Sequence, residues 1–435
     1  MLSAKELRLL LPEELVQRRQ EGANVVGWAA RIRRAGDDAR ALERVYRQLM
    51  KLKGDGALAR KEPSDWAGIQ KARPRGPRRL SSPGSVGKLR DRFRGAMLGR
   101  CAGCLLGKPV EGWHRDRLFA ALKKTDDFPV KNYFLARTVK AGGGPHAGWK
   151  LEDCTRGHIR CMERDDDIDS TILGVHYLKT YGRKFTTENV AHEWLNRLPY
   201  ELVYTAERAA YRNLVLGLPL DEAATYRNPY REWIGAQIRA DGFGYVAAGA
   251  PALAAEFAYR DACLSHVRNG IYGEMLFAAM IAAALVCDDV HRVIEIGLAQ
   301  IPRDCRLAEA VRDVVGWSDE HADWMETLDA IHAKFGHYHI VHTINNAALV
   351  VMALLHGRMD FTKTITMAVM GGWDTDCNGA TAGSVLGAML GAKKLPAKWI
   401  SPLRNQLRTY VIGYDYSKIT DIADEALALH RRLLK

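Results

Sequence analysis

No stretch of the sequence is apolar for about 20 residues, so a membrane-spanning helix is not predicted. Residues 1–30 carry scattered charges and no clean apolar core, which argues against a secretory signal peptide. The eight cysteines lack the spacing of a disulfide framework, and the lone CxxC of Cys101 and Cys104 lies among small helical residues. We therefore interpret this pair as buried packing residues and expect a cytoplasmic protein with reduced thiols.

Strand-like alternation of apolar and polar residues is also nearly absent, and no repeat of about 20–50 residues is visible. From residue 91 onward the sequence instead shows one segment after another with apolar side chains at helical spacing. Its 435 residues are enough for a large core, and its 47% apolar content is ordinary for a globular protein. These features predict an all-α fold.

The net charge of +12 is concentrated near the N-terminus. Residues 1–94 contain 23 Lys and Arg against 11 Asp and Glu, so the remainder of the chain is neutral overall. Such a segment could face nucleic acid or an acidic partner. It lacks the interleaved aromatic residues of single-strand binders and any DNA-reading motif, so we favour a solvated basic surface over nucleic-acid binding.

Composition divides the chain into three parts. Residues 1–61 contain two helical patterns separated by glycines and are interpreted as a helical extension. Residues 62–90 are rich in proline, glycine and serine and are predicted to be a linker, which could lie over the main body. Residues 91–435 form the main domain, whose helices are interrupted by a predicted long loop from about Phe128 to Asp153.

Glycine recurs at every fourth position in two segments, which places the glycines of each segment on one helix face. The two sets are Gly95, Gly99, Gly103 and Gly107, and Gly379, Gly383, Gly387 and Gly391. Each glycine costs a helix roughly 1 kcal/mol relative to alanine, so four on one face indicate a close backbone neighbour. We predict that these two helices pack against each other in the centre of the fold.

Two carboxylate clusters each open a helix of small or apolar residues. The first is the run Asp165-Asp166-Asp167 with Asp169, and the second is Asp374 with Asp376. One aspartate can cap a helix or favour its dipole, but further carboxylates repel one another unless a cation lies between them. A solvated acidic turn is the alternative. Taken together, the two clusters predict an oxygen-ligand site for one or two divalent cations.

Four motifs in chain order resemble the ADP-ribosylglycohydrolase family, over a stretch from about Arg92 to Leu407. The motifs are Arg94–Gly99 continuing to Gly107-Lys108-Pro109-Val110-Glu111, the triplet Asp165–Asp167, the turn Gly372–Cys377, and Pro396-Ala397-Lys398-Trp399. No single motif is specific to the family, but the four motifs together and in this order are. The sequence is similar to a bacterial subgroup that carries a helical N-terminal extension.

The resemblance implies an orthogonal helix bundle around two magnesium (or manganese) ions, which hold the ribose diol and position a water molecule. The implied metal ligands are Glu111, Asp165, Asp166, Asp167, Asp374, Asp376 and Cys377. Glu111, Asp166 and Asp167 are the implied catalytic residues, and Glu111 would steer or deprotonate the water. The sequence departs from the family at two places: Cys377 replaces a threonine ligand, and Cys104 stands where the family often has aspartate. A thiol is a poor ligand for a hard cation, so the resemblance leaves open whether a second ion binds.

Two glycine-punctuated segments are candidates for holding the phosphates and adenine of such a substrate, around residues 142–149 and 265–274. A plain loop and a structural histidine are the alternatives at these places. The predicted substrate-binding residues are Gly107, Gly143, Gly144, His146, Asp169, His266, Asn269, Gly270, Tyr272, Gly372 and Trp373.

Three hypotheses of function follow. The first is a metal-dependent hydrolase that removes ADP-ribose from a protein or other acceptor by cleaving an N- or O-ribosyl bond through an oxocarbenium-like state. The second is an N-ribosidase for a small nucleotide-like metabolite. The third is a non-catalytic binding or crystallin-like structural protein, and the retained carboxylates argue against it.

Overall fold

The computed structural model describes residues 3–81, 85–145 and 149–434. These residues form 24 α-helices and a single two-stranded sheet, so the predicted all-α fold is confirmed. The helices that precede the main domain are α1 (Ala4–Gln20), α2 (Trp28–Ala35), α3 (Ala39–Met50), α4 (Gly56–Lys61) and α5 (Trp66–Ala72).

The helices of the main domain are α6 (Val86–Gly107), α7 (Arg115–Lys124), α8 (Ala136–Ala141), α9 (Leu151–Cys154), α10 (Asp166–Tyr181), α11 (Thr187–Arg197), α12 (Thr205–Val215), α13 (Leu220–Ala223), α14 (Ala240–Val246), α15 (Pro251–Ala262), α16 (Asn269–Ala284), α17 (Val290–Leu298), α18 (Arg306–Glu320), α19 (Trp324–Phe335), α20 (Thr343–His356), α21 (Phe361–Met370), α22 (Thr375–Leu390), α23 (Ala397–Ile400) and α24 (Ile419–Leu433). The strands β1 (Gln406–Arg408) and β2 (Tyr416–Lys418) pair antiparallel, with Leu407 opposite Ser417. No helix within the described ranges combines the length and the apolar character that crossing a bilayer requires.

The two glycine-spaced helices, α6 and α22, pack directly against each other, as predicted. A Cβ atom added at Gly103 would overlap the carbonyl oxygen of Gly379, and one at Gly99 would overlap that of Gly383. Gly391 lies just beyond α22 and adopts φ +81°, a left-handed conformation that glycine accepts without strain. Both helices are buried along this interface, which therefore forms the centre of the main domain.

The N-terminal extension has a small apolar core of its own, built mainly from α1, α2 and α3. Leu7, Leu11, Leu42 and Leu49 are fully buried in it. Ser3 starts α1 through a capping box, because its hydroxyl accepts from the Glu6 amide while the Glu6 carboxylate accepts from the Ser3 amide. The extension is thus a folded unit and not a mere tail.

The extension attaches to the main domain through buried ion pairs. Arg231 lies 2.9 Å from Glu14 and 2.7 Å from Glu21, and Arg227 lies 2.8 Å from Glu43. Further along the chain, Arg306 lies 2.8 Å from both Glu62 and Glu232. We call these five glutamates and the arginines paired with them the docking cluster. Because its partners come from residues 14–62 and 227–306, it fixes the extension to the main domain.

The predicted linker, residues 62–90, packs on the main domain and contains α5 and the first residues of α6. Ile69 of α5 is fully buried in the main core. Arg78 donates to the Ala299 carbonyl at 2.5 Å and to the Gln300 side chain at 2.7 Å, and the Leu80 amide donates to the Gly249 carbonyl at 2.7 Å. Both the helix α5 and the irregular part of the predicted linker are thus held against the main domain.

The prediction of a continuous loop from about Phe128 to Asp153 is wrong in two places. The helix α8 occupies residues 136–141 and α9 begins at Leu151. Thr138 and Val139 of α8 are buried against the main domain, so tertiary packing stabilises a helix too short for its periodicity to be visible.

Candidate metal centre

The predicted carboxylates converge at one end of the α6–α22 interface. Glu111 follows the short 3₁₀ turn Lys108–Val110 that ends α6, Asp165–Asp167 start α10, and Asp374 and Asp376 start α22. Three groups of side chains have ligand atoms within 4.8 Å of one another: Glu111, Asp374 and Asp376; Asp167, Asp376 and Cys377; and Cys104, Asp165 and Asp167. We call Glu111, Asp165, Asp166, Asp167, Asp374 and Asp376 the acidic cluster.

Two backbone hydrogen bonds join the segment that follows Glu111 to the turn that precedes Asp374. The Gly112 amide donates to the Trp373 carbonyl at 2.9 Å, and the Trp373 amide donates to the Trp113 carbonyl at 2.8 Å. Gly372 and Trp373 both adopt positive φ to make this turn, and the Trp373 ring stacks on His332. The predicted substrate-binding residues Gly372 and Trp373 therefore also bring Glu111 next to Asp374.

Few cations balance the acidic cluster. Lys108 Nζ lies 2.8 Å from the Asp165 carboxylate, and Arg100 lies 3.0 Å from Asp167. The guanidinium of Arg100 also pairs with a further buried carboxylate, that of Asp241, at 2.7 Å. Arg164, which pairs with Asp169, also attracts Asp165 and Asp166 over a longer distance. The carboxylates of the cluster nevertheless raise one another's pKa values, which favours a further cation.

Unpartnered oxygens mark where a cation fits. Asp167 Oδ2 and Asp376 Oδ1 are buried and accept no hydrogen bond from the described residues. These two aspartates belong to the same group of potential ligands, and Asp376 also belongs to the group of Glu111 and Asp374. A buried carboxylate oxygen without a donor is costly, whereas Mg²⁺ or Mn²⁺ would coordinate it. The residues present therefore fit a hard divalent cation.

The pKa values of the cluster reflect the mutual repulsion of its carboxylates. Burial and the neighbouring Asp374 raise the pKa of Glu111 to about 8, and burial and Asp165 raise the pKa of Asp166 to about 7. Burial also raises the pKa of Asp376 well above its ordinary range, with Glu111 the largest neighbouring contribution. Asp165 differs, because Lys108 lowers its pKa despite its burial.

Trp149 is a contact of Glu111 that the sequence did not predict in this role. Its indole N–H donates to Glu111 Oε2 at 2.7 Å, and Lys108 Nζ lies 3.6 Å from the centre of its ring. The hydrogen bond fixes one Glu111 oxygen, while the ring covers Lys108. The motif Gly107–Glu111 singled out Glu111, but nothing in the sequence indicated that Trp149 reaches it.

The two cysteines at the site lie in apolar or fully buried surroundings. Cys377 packs against Ile234 and Ile238, and burial raises the pKa values of Cys377 and Cys104 well above their ordinary range. Cys101, its CxxC companion, is also fully buried, as predicted. Protonated thiols are weak ligands for a hard cation, so the oxygen atoms of the cluster are its better ligands.

Asp169, predicted to bind substrate, is engaged by the protein itself. Arg164 donates to its Oδ2 at 2.8 Å, and Thr409 and the Tyr410 amide donate to its Oδ1 at 2.7 and 3.2 Å. This carboxylate connects the start of α10 to the segment after β1. Its contacts orient the helix that carries Asp165–Asp167.

The segment 265–274 lies at the joint with the linker and the docking cluster. Asn269 donates to Glu232 at 2.8 Å, the Tyr272 hydroxyl donates to the Pro63 carbonyl, and His266 Nδ1 lies 2.8 Å from the Ser265 hydroxyl. A Cβ atom at Gly270 would collide with the Arg231 carbonyl. None of these contacts involves the acidic cluster, so the assignment of this segment to substrate stays a prediction.

Three of the glycines predicted to bind substrate lie in two different structural contexts, a helix contact and a loop. Gly107 lies against the backbone of Thr375, whose hydroxyl donates to the Gly107 carbonyl at 2.8 Å, so its small size is needed for helix packing. Gly143 and Gly144 adopt φ of +103° and +94° in the segment before Trp149. His146 lies outside the described residues.

Comparison with known proteins places the chain among glycosidases. The family model described as ADP-ribosylglycohydrolase matches residues 85–433. A solved structure described as "ADP-ribosylglycohydrolase-related protein complex" is 21% identical, with a TM-score of 0.51 over 80% of this chain and 99% of that chain. At this identity the likeness concerns the fold alone. A search of curated protein sequences gave no match.

Proposed function

Because the chain belongs to the ADP-ribosylglycohydrolase family, we propose that it is a metal-dependent hydrolase that cleaves a ribosyl bond, N- or O-glycosidic, in an ADP-ribosylated substrate. The observation that carries this proposal is the convergence of five carboxylates, two of which, Asp167 and Asp376, have an oxygen without a hydrogen-bond donor among the described residues. The five are Glu111, Asp165, Asp167, Asp374 and Asp376. A carboxylate set of this kind suits both a hard cation and a positively charged sugar.

Asp167, Asp374, Asp376 and Glu111 are the proposed ligands, with Asp165 and Asp166 beside them. When bound, Mg²⁺ or Mn²⁺ supplies Lewis acidity and a more acidic water molecule. Lys108 and Arg100 hold Asp165 and Asp167 in fixed positions through their ion pairs. The protein thus presents pre-oriented oxygen atoms and does not have to reorganise during the reaction.

Glu111 is the proposed proton acceptor. It lies at the edge of the cluster, where its carboxylate is partly exposed, and Trp149 holds its Oε2. Hydrolysis at an anomeric carbon needs a group that takes a proton from the attacking water, and a positioned carboxylate performs this step in other glycosidases. The charge of Asp374 and Asp376 would then stabilise the oxocarbenium-like state.

The test is hydrolysis of ADP-ribosylated peptides carrying the sugar on arginine or on serine, with Mg²⁺ or Mn²⁺ present. We expect ADP-ribose release by wild type and none by Asp374→Asn/Asp376→Asn. Asp360→Asn is the matched control, because Asp360 caps α21 and lies outside the cluster. Cleavage of free nucleosides alone would favour the small-metabolite ribosidase, and metal binding without any cleavage would favour a binding protein.

A further inference from the structure

A pocket rich in arginine lies where the linker meets the main domain, and it shares no residue with the acidic cluster. Its volume is about 270 Å³. Three of its arginines come from residues 73–79, and the fourth, Arg183, comes from the turn after α10. The residues that matter for its chemistry are Arg73, Arg78, Arg79, Arg183, Trp66 and Glu256.

Among its described lining residues, the arginine pocket has four arginines against one carboxylate, Glu256, which attracts Arg73. Arg78 donates to carbonyl groups and to the Gln300 amide, which are all neutral acceptors. Within the described ranges, Arg73, Arg78 and Arg79 form no ion pair with a carboxylate. Glu256 also lines the pocket but is paired with Arg260. Burial and the neighbouring Arg78 lower the pKa of Arg73, as expected where guanidinium groups crowd together.

The remaining wall of the pocket is aromatic. The Trp66 ring packs on Tyr259, with 5.0 Å between ring centres, and Arg73 lies 6.0 Å from the centre of the Trp66 ring. These contacts hold the Trp66 side chain in place, and it forms one wall of the pocket. A guanidinium fork matches the geometry of phosphate oxygens, and several forks in one concave site favour a multiply charged anion.

We propose that the arginine pocket binds a small molecule through a diphosphate group. The pocket is bounded by chain segments from residues 66–79, 183, 250–256 and 434, and its small volume favours a compact ligand. Its volume of about 270 Å³ lies just below the usual range of ligand pockets, which begins at about 300 Å³. This site is separate from the proposed catalytic centre and does not depend on it.

The test is calorimetry with pyrophosphate and with ADP, in the absence of divalent cations. Arg73→Ala/Arg79→Ala should weaken pyrophosphate binding by at least about tenfold, since two charged contacts are lost. Arg78 stays unchanged because it anchors the linker. Arg75→Ala is the matched control: Arg75 is exposed in the same basic segment but does not line the pocket, so binding should change by less than about twofold.

The variant Asp374→Asn/Asp376→Asn separates this site from the acidic cluster, and it should bind pyrophosphate as wild type does. Tighter binding of ADP than of pyrophosphate would identify a nucleotide as the better ligand, and equal binding would identify the phosphates alone. The proposal is overturned if wild type binds neither probe. It is also overturned if Arg75→Ala weakens binding as much as the double variant, because a diffuse basic surface that also binds oligonucleotides would explain that result.

Discussion

The acidic cluster and the docking cluster are both buried and both rich in carboxylates, yet the neighbours of these carboxylates differ. In the docking cluster each of the five glutamates lies within 3 Å of an arginine. In the acidic cluster, Asp165 and Asp167 each pair with one cation, while burial and neighbouring carboxylates raise the pKa values of Glu111, Asp166 and Asp376. Burial alone therefore does not explain the behaviour of either cluster.

The pKa values express the difference. Glu232 and Glu111 are both glutamates in buried clusters, but Arg306 lowers the pKa of Glu232 to about 2 against the effect of burial, while burial and Asp374 raise that of Glu111 to about 8. The docking cluster is complete and holds two parts of the chain together. The carboxylates of the acidic cluster raise one another's pKa values, a repulsion that a bound cation would relieve.

The largest expected effect is on catalysis. Glu111→Gln should lower the rate of ADP-ribose release by about 10²–10⁴-fold, the range for loss of a general acid or base. Glu163→Gln is the control, since Glu163 precedes the acidic triplet but pairs with Arg408. Equal rates for Glu111→Gln and wild type would show that Glu111 is not the proton acceptor.

Arg231→Met should be the most destabilising change in the docking cluster. It leaves Glu14 and Glu21 buried without their partner, and breaking a buried ion pair in this way costs about 3–5 kcal/mol. Arg47→Met removes the exposed partner of Glu43 and should cost no more than about 1 kcal/mol. Denaturant unfolding measures both, and similar losses would contradict the importance we give to the docking cluster.

Removing one carboxylate should have opposite effects in the two clusters. In metal-free buffer, Asp376→Asn should raise the free energy of unfolding by roughly 1–3 kcal/mol, because a buried oxygen without a donor is replaced by an amide that can also donate. Glu232→Gln should lower it, since Arg306 and Asn269 lose a charged acceptor. Thermal melts with a chelator test this contrast, which fails if both variants shift in the same direction.

The smallest expected effect is the pH dependence of docking. A carboxyl with a lowered pKa stabilises the folded state above its unfolded value of about 4.3 and loses that contribution as the pH falls towards its folded value. For Glu232 this window runs from about 4.3 down to about 2. The protection factors of the α1 amides, which correct exchange rates for their intrinsic pH dependence, should therefore be steady from neutral pH to about 4.5 and fall below it. A fall in the protection factors that begins near pH 6 would implicate another group.

The packing of α6 on α22 was predictable because a four-residue glycine period directly encodes one helix face. The pairing of Asp374 with Asp376 was visible for a similar reason, since local sequence places both at one helix start. The short helix α2 was missed, and so was the docking cluster. Glu14, Glu21 and Glu43 look like the ordinary polar face of a surface helix, and only tertiary structure reveals their arginines.

Arg100 and Trp149 show the same limit at the candidate site. Arg100 lies on a helix whose neighbours suggest only packing, yet it joins Asp167 and Asp241 from two other helices. Trp149 reaches Glu111 across 38 residues of sequence. Contacts between distant segments carry no local pattern, and so they were not predicted.

The most direct test of the account is the effect of Mg²⁺ or Mn²⁺ on the melting temperature of wild type and of Asp376→Asn, with Asp360→Asn as control. A cation that binds the folded state and not the unfolded state raises the free energy of unfolding by an amount that grows with the logarithm of its concentration above Kd. We predict a concentration-dependent increase for wild type and for Asp360→Asn, and little or none for Asp376→Asn. An equal increase in all three proteins, or none in any, would contradict the claim that the acidic cluster is a cation site.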